Sequence, residues 1–285
     1  MPASTRLALR ERLRAPQPLV VPGCYDVLSA RLIEQAGFEA VLVSGFGVSA
    51  SLLGLPDVEL ATASEMAGVC RSVCRRVARP VLADADNGYG NALNVMRTVA
   101  ELEAAGVASI TLEDQRSPKR CPLISADAEL LDVPEAVGKL RAALAARSDP
   151  ALMVVARTDA REPQEVLHRA RAYAEAGVDG FKLISPALRS TDLLDALRAE
   201  FPALPLFISS LGWAATQDAA LFHGRASVIT HPLLPLAGAA RSVRDNLEAL
   251  RQGLALPAGR ATTGELEQML GMDEVHRHES AFLPV

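Results

Sequence analysis

The sequence predicts an α/β fold, a (β/α)8 TIM-type barrel followed by extra C-terminal helices. Eight short runs rich in β-branched residues recur along the chain, and each ends in polar residues or glycine. Amphipathic, alanine-rich stretches separate them, and three of these stretches end in Ala-Gly before an apolar residue. Glycine accepts the left-handed conformation that stops a helix, so these points mark helix ends. Eight strand-plus-helix units are what such a barrel requires.

The predicted strands are regularly spaced along the chain. In order they are LVVPG at 19–23, AVLVSG at 40–45, PVLADAD at 80–86, SITLED at 109–114, LMVVARTDA at 152–160, GFKLI at 180–184, PLFIS at 205–209 and SVITHP at 227–232. The clearest helical stretches between them are DVLSARLIEQAGF, ALNVMRTVAELEAAGV, VPEAVGKLRAALAARS, EVLHRARAYAEAGV and STDLLDALRAEFP. A doubly wound sheet is the alternative, but PGCYDVLSA after the first strand lacks the glycine-rich phosphate loop typical of that fold.

The domain organisation follows from the same pattern. No segment of the sequence has the composition of a linker, so we predict a single domain over residues 1–285. The barrel core is expected over about 18–250 and a C-terminal helical extension over 254–285. The last part of this tail, ELEQMLGMDEVHRHESAFLPV, is amphipathic enough to pack on a neighbouring subunit.

Composition excludes several function classes. The net charge of −5 leaves no broad basic face for nucleic acid, and no apolar run approaches the ~18 residues of a membrane span. The basic N-terminus is broken by charges throughout, unlike a secretory signal. The four cysteines have no metal-finger spacing, which favours a reducing, cytoplasmic compartment. We therefore expect a small-molecule substrate, with no nucleic-acid or membrane partner.

Carboxylates gather where two predicted strands end. Asp84 and Asp86 lie two residues apart at the close of the third strand, so both side chains point to one face, and Glu113 closes the fourth strand. Carboxyl ends of barrel strands carry active-site groups. Neighbouring carboxylates repel unless a cation offsets their charge, and Mg²⁺, or alternatively Mn²⁺, prefers oxygen ligands. The competing interpretation is that the acids cap helices, which we favour for Asp114 alone.

Four segments resemble the isocitrate lyase/phosphoenolpyruvate mutase superfamily, in register with the predicted strands. They are VSGFGVSASLLGLPD, ADADNGYGNALNVMRTV, TLEDQRSPKRC and VVARTDA. The resemblance implies a magnesium-dependent barrel that acts on the α-carboxylate and C2 oxygen of 2-oxo or 2-hydroxy acids. It implies that a C–C or C–P bond is made or broken through a pyruvate-like enolate. It also implies a homotetramer in which a terminal helix is exchanged between subunits.

The resemblance carries metal-binding roles onto particular positions. Asp84 is similar to the family's direct metal ligand. The water-mediated supports of the metal correspond to Asp86, Glu113 and, in the segment GLPD, Asp57. A metal and N–H donors aimed at a developing enolate provide the electrostatic stabilisation that such a reaction needs.

Substrate-binding roles are implied in the same way. Ser44, Gly45 and Phe46 are expected to bind the substrate carboxylate through backbone N–H groups and the serine hydroxyl. Arg157 resembles the arginine that pairs with the departing or second acidic group, for which a planar guanidinium is well suited, so we predict it to be both substrate-binding and catalytic. His231, which follows the eighth strand, either contacts the substrate or is a hydrogen-bonded part of the scaffold.

The loop after the fourth strand, EDQRSPKRCP, is expected to close over the metal. Its Lys-Arg-Cys at 119–121 is similar to the lyases of the superfamily, in which the cysteine donates a proton to the leaving enolate. We therefore predict Lys119 and Cys121 to be catalytic, although Cys121 is alternatively a lid residue with no proton role. Tyr25 in CYDVLSA also resembles the lyases, and it either handles the C2 hydroxyl proton or only hydrogen-bonds the substrate.

Two departures from the family pattern narrow the substrate. Pro122-Leu123 replaces the Gly-His that follows the loop cysteine, and FKLISP, which contains Lys182, lacks the glutamate that tricarboxylate lyases place after the sixth strand. Both favour a smaller dicarboxylate of the substituted malate or oxaloacetate type, cleaved by a carbon–carbon lyase. The alternatives are an oxaloacetate decarboxylase and a C–P enzyme (phosphonopyruvate mutase or hydrolase). A third alternative is a barrel without catalytic activity that serves as a ligand-binding or assembly protein. The presence of Asp84, Asp86, Glu113 and Arg157 argues against this third alternative.

Overall fold

Eight parallel strands close into a barrel in the computed structural model, which describes residues 2–122, 125, 128–184, 187, 188, 190–211 and 219–283. Each strand pairs with the next along the chain, and the last pairs with the first. The strands are β1 Leu19–Cys24, β2 Val41–Val43, β3 Val81–Asp84, β4 Ser109–Glu113, β5 Met153–Thr158, β6 Gly180–Leu183, β7 Leu206–Ser209 and β8 Val228–His231. The predicted barrel is confirmed, and every strand lies within its predicted run except β1, which extends one residue beyond it to Cys24.

One helix precedes the first strand, and helices follow most of the strands. They are α1 Pro2–Arg12, α2 Val27–Gln35, α3 Gly45–Val48, α4 Ala63–Cys74, α5 Ala92–Ala105, α6 Val133–Ala146, α7 Pro163–Ala176 and α8 Asp192–Glu200. Side chains just before some helices fix where those helices begin. Thr62 and Asn91, which precede α4 and α5, form capping boxes that satisfy backbone N–H groups of the first turn. Gly106 and Gly177, both with positive φ, end α5 and α7 at two of the predicted Ala-Gly positions.

The strand side chains divide between two apolar cores. Residues of the barrel lumen, such as Leu82 and Phe207, pack with Leu9 and Leu13 of α1. Residues of the opposite strand faces, such as Ala83, pack with the surrounding helices. The period of two in a strand produces this division, and it leaves the lumen next to the carboxyl ends of the strands for polar groups.

Residues 235–285 form a second compact unit, and residues 1–234 form the first. The C-terminal helices are α9 Leu234–Arg251, α10 Thr263–Leu270 and α11 Met272–Phe282. They contain no buried residue, and apolar side chains such as Leu247 and Phe282 are exposed. The extra helices are confirmed, while the single-domain interpretation and packing on a neighbouring subunit stay predictions. Among the described residues, no helix combines the length and the apolar character needed to cross a bilayer.

Candidate active site

Three carboxylates converge at the carboxyl ends of neighbouring strands. Asp84 ends β3, Asp86 follows two residues later, and Glu113 ends β4. Oxygen atoms of the three groups lie within 4.8 Å of one another. The alternation of side chains therefore brings the predicted residues together, although Asp86 lies just beyond its strand, with φ of 46°. Aspartate is among the residues that tolerate this left-handed conformation.

Two basic side chains reach into this cluster from the loop and from β5. Lys119 Nζ lies 2.6 Å from Asp57 Oδ1 and 2.9 Å from Asp86 Oδ1, and it is almost fully buried. Arg157 Nη1 lies 2.7 Å from Glu113 Oε2. The structure therefore brings together the predicted metal-binding acids and two of the predicted catalytic residues.

Arg157 also forms an ion pair with Asp159, a residue that was not among the predicted site residues. Its Nε and Nη2 donate to the two oxygens of Asp159, each at 2.9 Å. Asp159 in turn accepts from Gln115 Nε2 at 2.6 Å. This bidentate pairing fixes the plane of the guanidinium, because both donors on one edge are engaged by one carboxylate.

Burial and charge act in opposite directions on the three acids. Burial raises the pKa of Glu113 well above its usual range and that of Asp86 to about 6, and neighbouring carboxylates add to both shifts. Burial also opposes ionisation of Asp84, but nearby cations, Lys182 first among them, outweigh it and lower the pKa of that carboxyl. The ionised forms of Asp86 and Glu113 are thus disfavoured in the cluster, and an added cation would favour them.

The donor set fits a hard divalent ion. Glu113 Oε1 is buried and accepts no hydrogen bond from the described residues, so one oxygen is available for a ligand. Gly45 lies directly against the acids: a Cβ at this position would be 3.0 Å from Asp86 Oδ1 and 3.4 Å from Asp84 Oδ2. Carboxylate oxygens converging on a space that a side chain would fill are suited to Mg²⁺ or Mn²⁺.

The segment after β2 forms another wall of the site. Ser44 begins the short helix α3, and its Oγ accepts from the Gly47 N–H at 3.3 Å. Ser44 and Phe46 line a small cavity of about 40 Å³ together with Asp57, Asp84 and Arg157. Most of the predicted site therefore faces one enclosed space.

Polar contacts fasten the loop that covers this cavity. Glu59 accepts from Ser117 Oγ at 2.8 Å and from the Lys119 N–H at 2.6 Å. Gln115 accepts from the Arg120 N–H at 2.7 Å. The loop residues Lys119, Arg120 and Cys121 consequently line the cavity, and Cys121 is partly buried. Leu123, cited above as a departure from the family pattern, lies outside the described residues.

Asp114 does not have the helix-capping role that we favoured for it. Its carboxylate is buried and accepts from Tyr173 Oη at 2.7 Å, from Arg169 Nη1 at 3.2 Å and from the Asp159 N–H at 3.1 Å. It therefore joins the strand ends to α7 and supports the residue that orients Arg157. The capping interpretation was wrong because these partners lie 45 to 59 residues away along the chain.

Tyr25 and His231 are predicted site residues that neither line the cavity nor belong to the carboxylate cluster. Tyr25 follows β1 and is half-buried beside Gly47, whose Cβ, if added, would be 2.9 Å from Tyr25 Cβ. Burial raises the pKa of the Tyr25 hydroxyl. His231 ends β8 and is half-buried, and burial lowers the pKa of its imidazole. Their predicted roles stay predictions.

Lys182 is a site residue that was assigned no role from the sequence. It lies on β6, it is 2% exposed, and it lines the cavity beside Ile184 and Leu211. Burial lowers the pKa of its ammonium group, against the attraction of Asp84. The period of two placed Lys182 on the lumen face, and that signal was available from GFKLI alone.

Comparison with known proteins gives consistent relatives. The phosphoenolpyruvate phosphomutase family model matches residues 9–251. A 2,3-dimethylmalate lyase of Eubacterium barkeri is 46% identical over 186 residues, which are 64% of this chain and 64% of that protein, just under two thirds. An oxaloacetate decarboxylase of Bradyrhizobium sp. strain BTAi1 is 38% identical over 274 residues, covering 91% of this chain and 90% of the relative. A solved structure of phosphonopyruvate hydrolase in complex with oxalate and Mg²⁺ superposes with a TM-score of 0.87 at 29% sequence identity. The superposition covers 98% of this chain and 99% of the hydrolase chain.

Proposed function

This chain belongs to the phosphoenolpyruvate phosphomutase family, and from that membership we propose that it is a divalent-metal-dependent carbon–carbon lyase. The proposed substrate is a small 2-hydroxy or 2-oxo dicarboxylate of the substituted malate or oxaloacetate type. One observation carries the proposal: the converging carboxylates lie beside a cavity that Arg157 and Cys121 also line. The likeness to a 2,3-dimethylmalate lyase supports the substituted malate.

Mg²⁺ is the proposed cofactor, with Mn²⁺ as the alternative. We propose that Asp84 binds the metal directly and that Asp86, Glu113 and Asp57 support it through water. The Mg²⁺ in the related phosphonopyruvate hydrolase structure and the unpartnered Glu113 oxygen support this assignment. A bound divalent ion withdraws electron density from the C2 oxygen and carboxylate of the substrate, which stabilises negative charge developing there.

The walls of the cavity suit a dicarboxylate with an apolar substituent. We propose that the Ser44 hydroxyl and the N–H groups of Gly45 and Phe46 bind the substrate's first carboxylate, because the Ser44 N–H already donates to the Cys24 carbonyl at 3.2 Å. Ile184 and Leu211 line the cavity and provide an apolar surface. Such a surface favours a methyl substituent at C3 over the additional carboxylate of a tricarboxylic acid, because an unpaired charge is costly to bury.

The bond changes of the proposed lyase reaction assign a role to Cys121. The C2 hydroxyl transfers its proton to a base, for which Tyr25 is the predicted candidate. The C2–C3 bond breaks, and its electron pair moves onto C3 and the adjoining carboxylate as an enolate. The Cys121 thiol then transfers its proton to C3. The products are a 2-oxo acid such as pyruvate and a saturated carboxylic acid. The position of Cys121 in the cavity-lining loop supports this role.

An oxaloacetate decarboxylase is the second candidate function. The observation that favours it is the match to the Bradyrhizobium decarboxylase across 91% of this chain. In that reaction the C3–C4 bond breaks, carbon dioxide leaves, and the electron pair forms the enolate of pyruvate, which is then protonated at C3. Both reactions place an electron pair on C3, so one set of residues suits either.

A substrate panel tests the proposal. The protein with Mg²⁺ is incubated with 2,3-dimethylmalate, oxaloacetate, methylisocitrate and phosphonopyruvate, and pyruvate and each co-product are quantified. We expect the highest kcat/KM for 2,3-dimethylmalate, with propionate formed in equal amount. Carbon dioxide from oxaloacetate as the dominant reaction would establish the second candidate. Phosphate from phosphonopyruvate alone would overturn the carbon–carbon proposal.

We also propose a homotetramer in which the C-terminal helices pack on a neighbouring subunit. The exposed apolar residues of α9 to α11 support it, because an isolated surface helix rarely presents so many. Light scattering of the full chain should give four subunits, and removal of residues 254–285 should reduce that number. A monomer would contradict the proposal. The cytoplasmic compartment expected from the cysteines stays a prediction.

A further inference from the structure

The basic residues around the cavity differ in how their charge is balanced. Lys119 and Arg157 each pair with two carboxylates within the cluster. Lys182 is as deeply buried as either, yet it forms no ion pair with any carboxylate of the described residues. Asp84 attracts the Lys182 ammonium without forming a close ion pair with it, so much of the lost hydration of this buried group is not replaced, which is costly. Lys182 is therefore the cation with capacity to bind an incoming anion.

Lys182 lies on the opposite side of the barrel from the segment after β2 that is expected to bind the first carboxylate. Strands follow one another in chain order around a closed ring of eight, so β6 lies across the lumen from β2. Ser44 follows β2, and both Ser44 and Lys182 line the same cavity. A substrate whose first carboxylate is bound after β2 therefore extends its other end across the lumen towards β6.

Arg157, which the resemblance matched to the second acidic group, has its guanidinium nitrogens engaged by Glu113 and Asp159. We propose that Lys182 instead binds the distal carboxylate of the substrate, the one attached to C3, and thereby directs cleavage to the C2–C3 bond. This inference rests on the proposed function, because it names the substrate group that the same site recognises. Lys182 thus acts as a specificity-determining residue, separate from the proton donor Cys121.

The choice of bond follows from where negative charge goes. In C2–C3 cleavage the distal carboxylate gains charge, because the electron pair of the broken bond spreads onto its oxygens. In decarboxylation the same carboxylate loses its charge as it leaves as carbon dioxide. A fixed ammonium beside it stabilises the first transition state and opposes the second. The same contact therefore strengthens binding and discriminates between the two candidate reactions.

A matched pair of ligands tests the contact without requiring turnover. Malate and lactate share the first carboxylate and the C2 hydroxyl, but lactate lacks the distal carboxylate. Their affinities are measured by titration calorimetry with Mg²⁺ present, for the wild type, Lys182→Met and Lys182→Arg. We expect Lys182→Met to weaken malate binding by roughly 10–100-fold, the effect of a lost charge-assisted hydrogen bond, and to leave lactate within about twofold. Lys182→Arg should retain most of the malate affinity.

Several results would overturn the inference. An equal loss of malate and lactate affinity in Lys182→Met would mean that the residue only maintains the structure. Wild-type affinities that are the same for both ligands would mean that no distal carboxylate is bound. Because both measurements are of binding, they decide the role of Lys182 even if the panel above shows no lyase activity.

The ratio of two reactions tests the choice of bond. The rate of carbon dioxide release from oxaloacetate is divided by the rate of 2,3-dimethylmalate cleavage for each variant. Lys182→Met should raise this ratio by about tenfold or more over the wild type, since the fixed charge that opposes decarboxylation is gone. An unchanged or lower ratio would overturn the directing role.

Discussion

The two ends of the barrel use charged side chains in opposite ways. At the amino end, Arg6 donates from Nε to the Val107 carbonyl at 2.9 Å and from Nη1 to Asp149 at 2.8 Å. At the carboxyl end, burial raises the pKa values of Asp86 and Glu113, so their ionised forms are disfavoured unless a cation binds beside them. At the amino end, the basic side chain donates to acceptor atoms of the protein itself. Acidic residues at the other leave oxygen atoms for a ligand.

The apolar lumen separates these two ends. Leu9 and Leu13 of α1 pack against the lumen residues of the strands, so the barrel is filled at its amino end. The polar residues begin above this layer, where β3, β4 and β5 end. The comparison therefore predicts that substitutions at the carboxyl end change activity with little change in stability, and that those at the amino end do the reverse.

Asp84→Ala should have the largest effect at the carboxyl end. It removes the proposed direct ligand, so we expect kcat/KM to fall by more than ~10³-fold, since several kcal/mol of charge stabilisation depend on the metal. Calorimetry should show weakened Mg²⁺ binding, and circular dichroism should show an unchanged fold. Excess chelator should inactivate the wild type to a similar extent.

Asp149→Ala is the matched control at the amino end. Asp149 is also an aspartate in an ion pair, with Arg6, but it lies away from the cavity. Its loss should leave kcat/KM and Mg²⁺ affinity within about twofold, because this partly buried pair lies at the end of the barrel opposite the active-site groups. Full turnover by Asp84→Ala, or a similar loss in both variants, would contradict the metal assignment.

Cys121→Ser should have the next largest effect. A serine hydroxyl is far less acidic than a thiol, and loss of a positioned proton donor typically lowers kcat by ~10²–10⁴-fold. KM should change little, because the side chains have similar size. Steady-state kinetics on the best substrate of the panel measure both constants. Near-wild-type turnover would leave Cys121 as a lid residue with no proton role.

Cys74→Ser is the control for this substitution. Cys74 is partly buried like Cys121, but it ends α4 and does not line the cavity. Its replacement should leave kcat unchanged within about twofold, since no proton transfer in the proposed reaction involves α4. A comparable loss in both variants would point to a general sensitivity to thiol replacement.

Leu9→Ala tests the amino end. Leu9 is fully buried in the lumen core, and removal of such a side chain typically costs ~2–5 kcal/mol of unfolding free energy. We expect that loss in urea unfolding, with kcat/KM within about twofold of the wild type at 25 °C. Leu7→Ala on the same helix is the control: Leu7 is 60% exposed, so its change should stay within ~0.5 kcal/mol. A large activity loss in Leu9→Ala at unchanged stability would break the separation between the two ends.

The sequence predicted the strands and the converging acids because both depend on local periodicity. A spacing of two puts Asp84 and Asp86 on one face, and parallel strands bring Glu113 to the same end. The helix α1 was not among the predicted elements, because its basic residues obscure the apolar positions of Leu9 and Leu13. The sequence pattern therefore predicted the acidic residues of the site better than it predicted helix α1, which fills the amino end of the barrel lumen.

Contacts between distant segments escaped sequence reasoning. Asp114 meets Tyr173 across 59 residues, and Glu59 meets Lys119 across 60. Neither partner is marked by spacing, since the strand order of the closed barrel is what brings them together. Lys182 was visible in the sequence, but its lack of an ion pair appears only when the neighbouring carboxylates are assigned to Lys119 and Arg157.

The smallest expected effect comes from the residue that fastens the loop over the cavity. Glu59 accepts from Ser117 Oγ, from the Lys119 N–H and from Asn87 Nδ2, and a glutamine has one acceptor oxygen fewer. Each lost contact is worth ~0.5–1.5 kcal/mol, so Glu59→Gln should lower kcat/KM by roughly 3–10-fold and speed proteolysis within 115–122. Glu65→Gln is the control, since among the described residues the Glu65 side chain bonds only to Thr62, at the start of α4. Unchanged kinetics together with an unchanged proteolysis rate in Glu59→Gln would mean that the loop is held closed by Gln115 and the Lys119 ion pairs without help from Glu59.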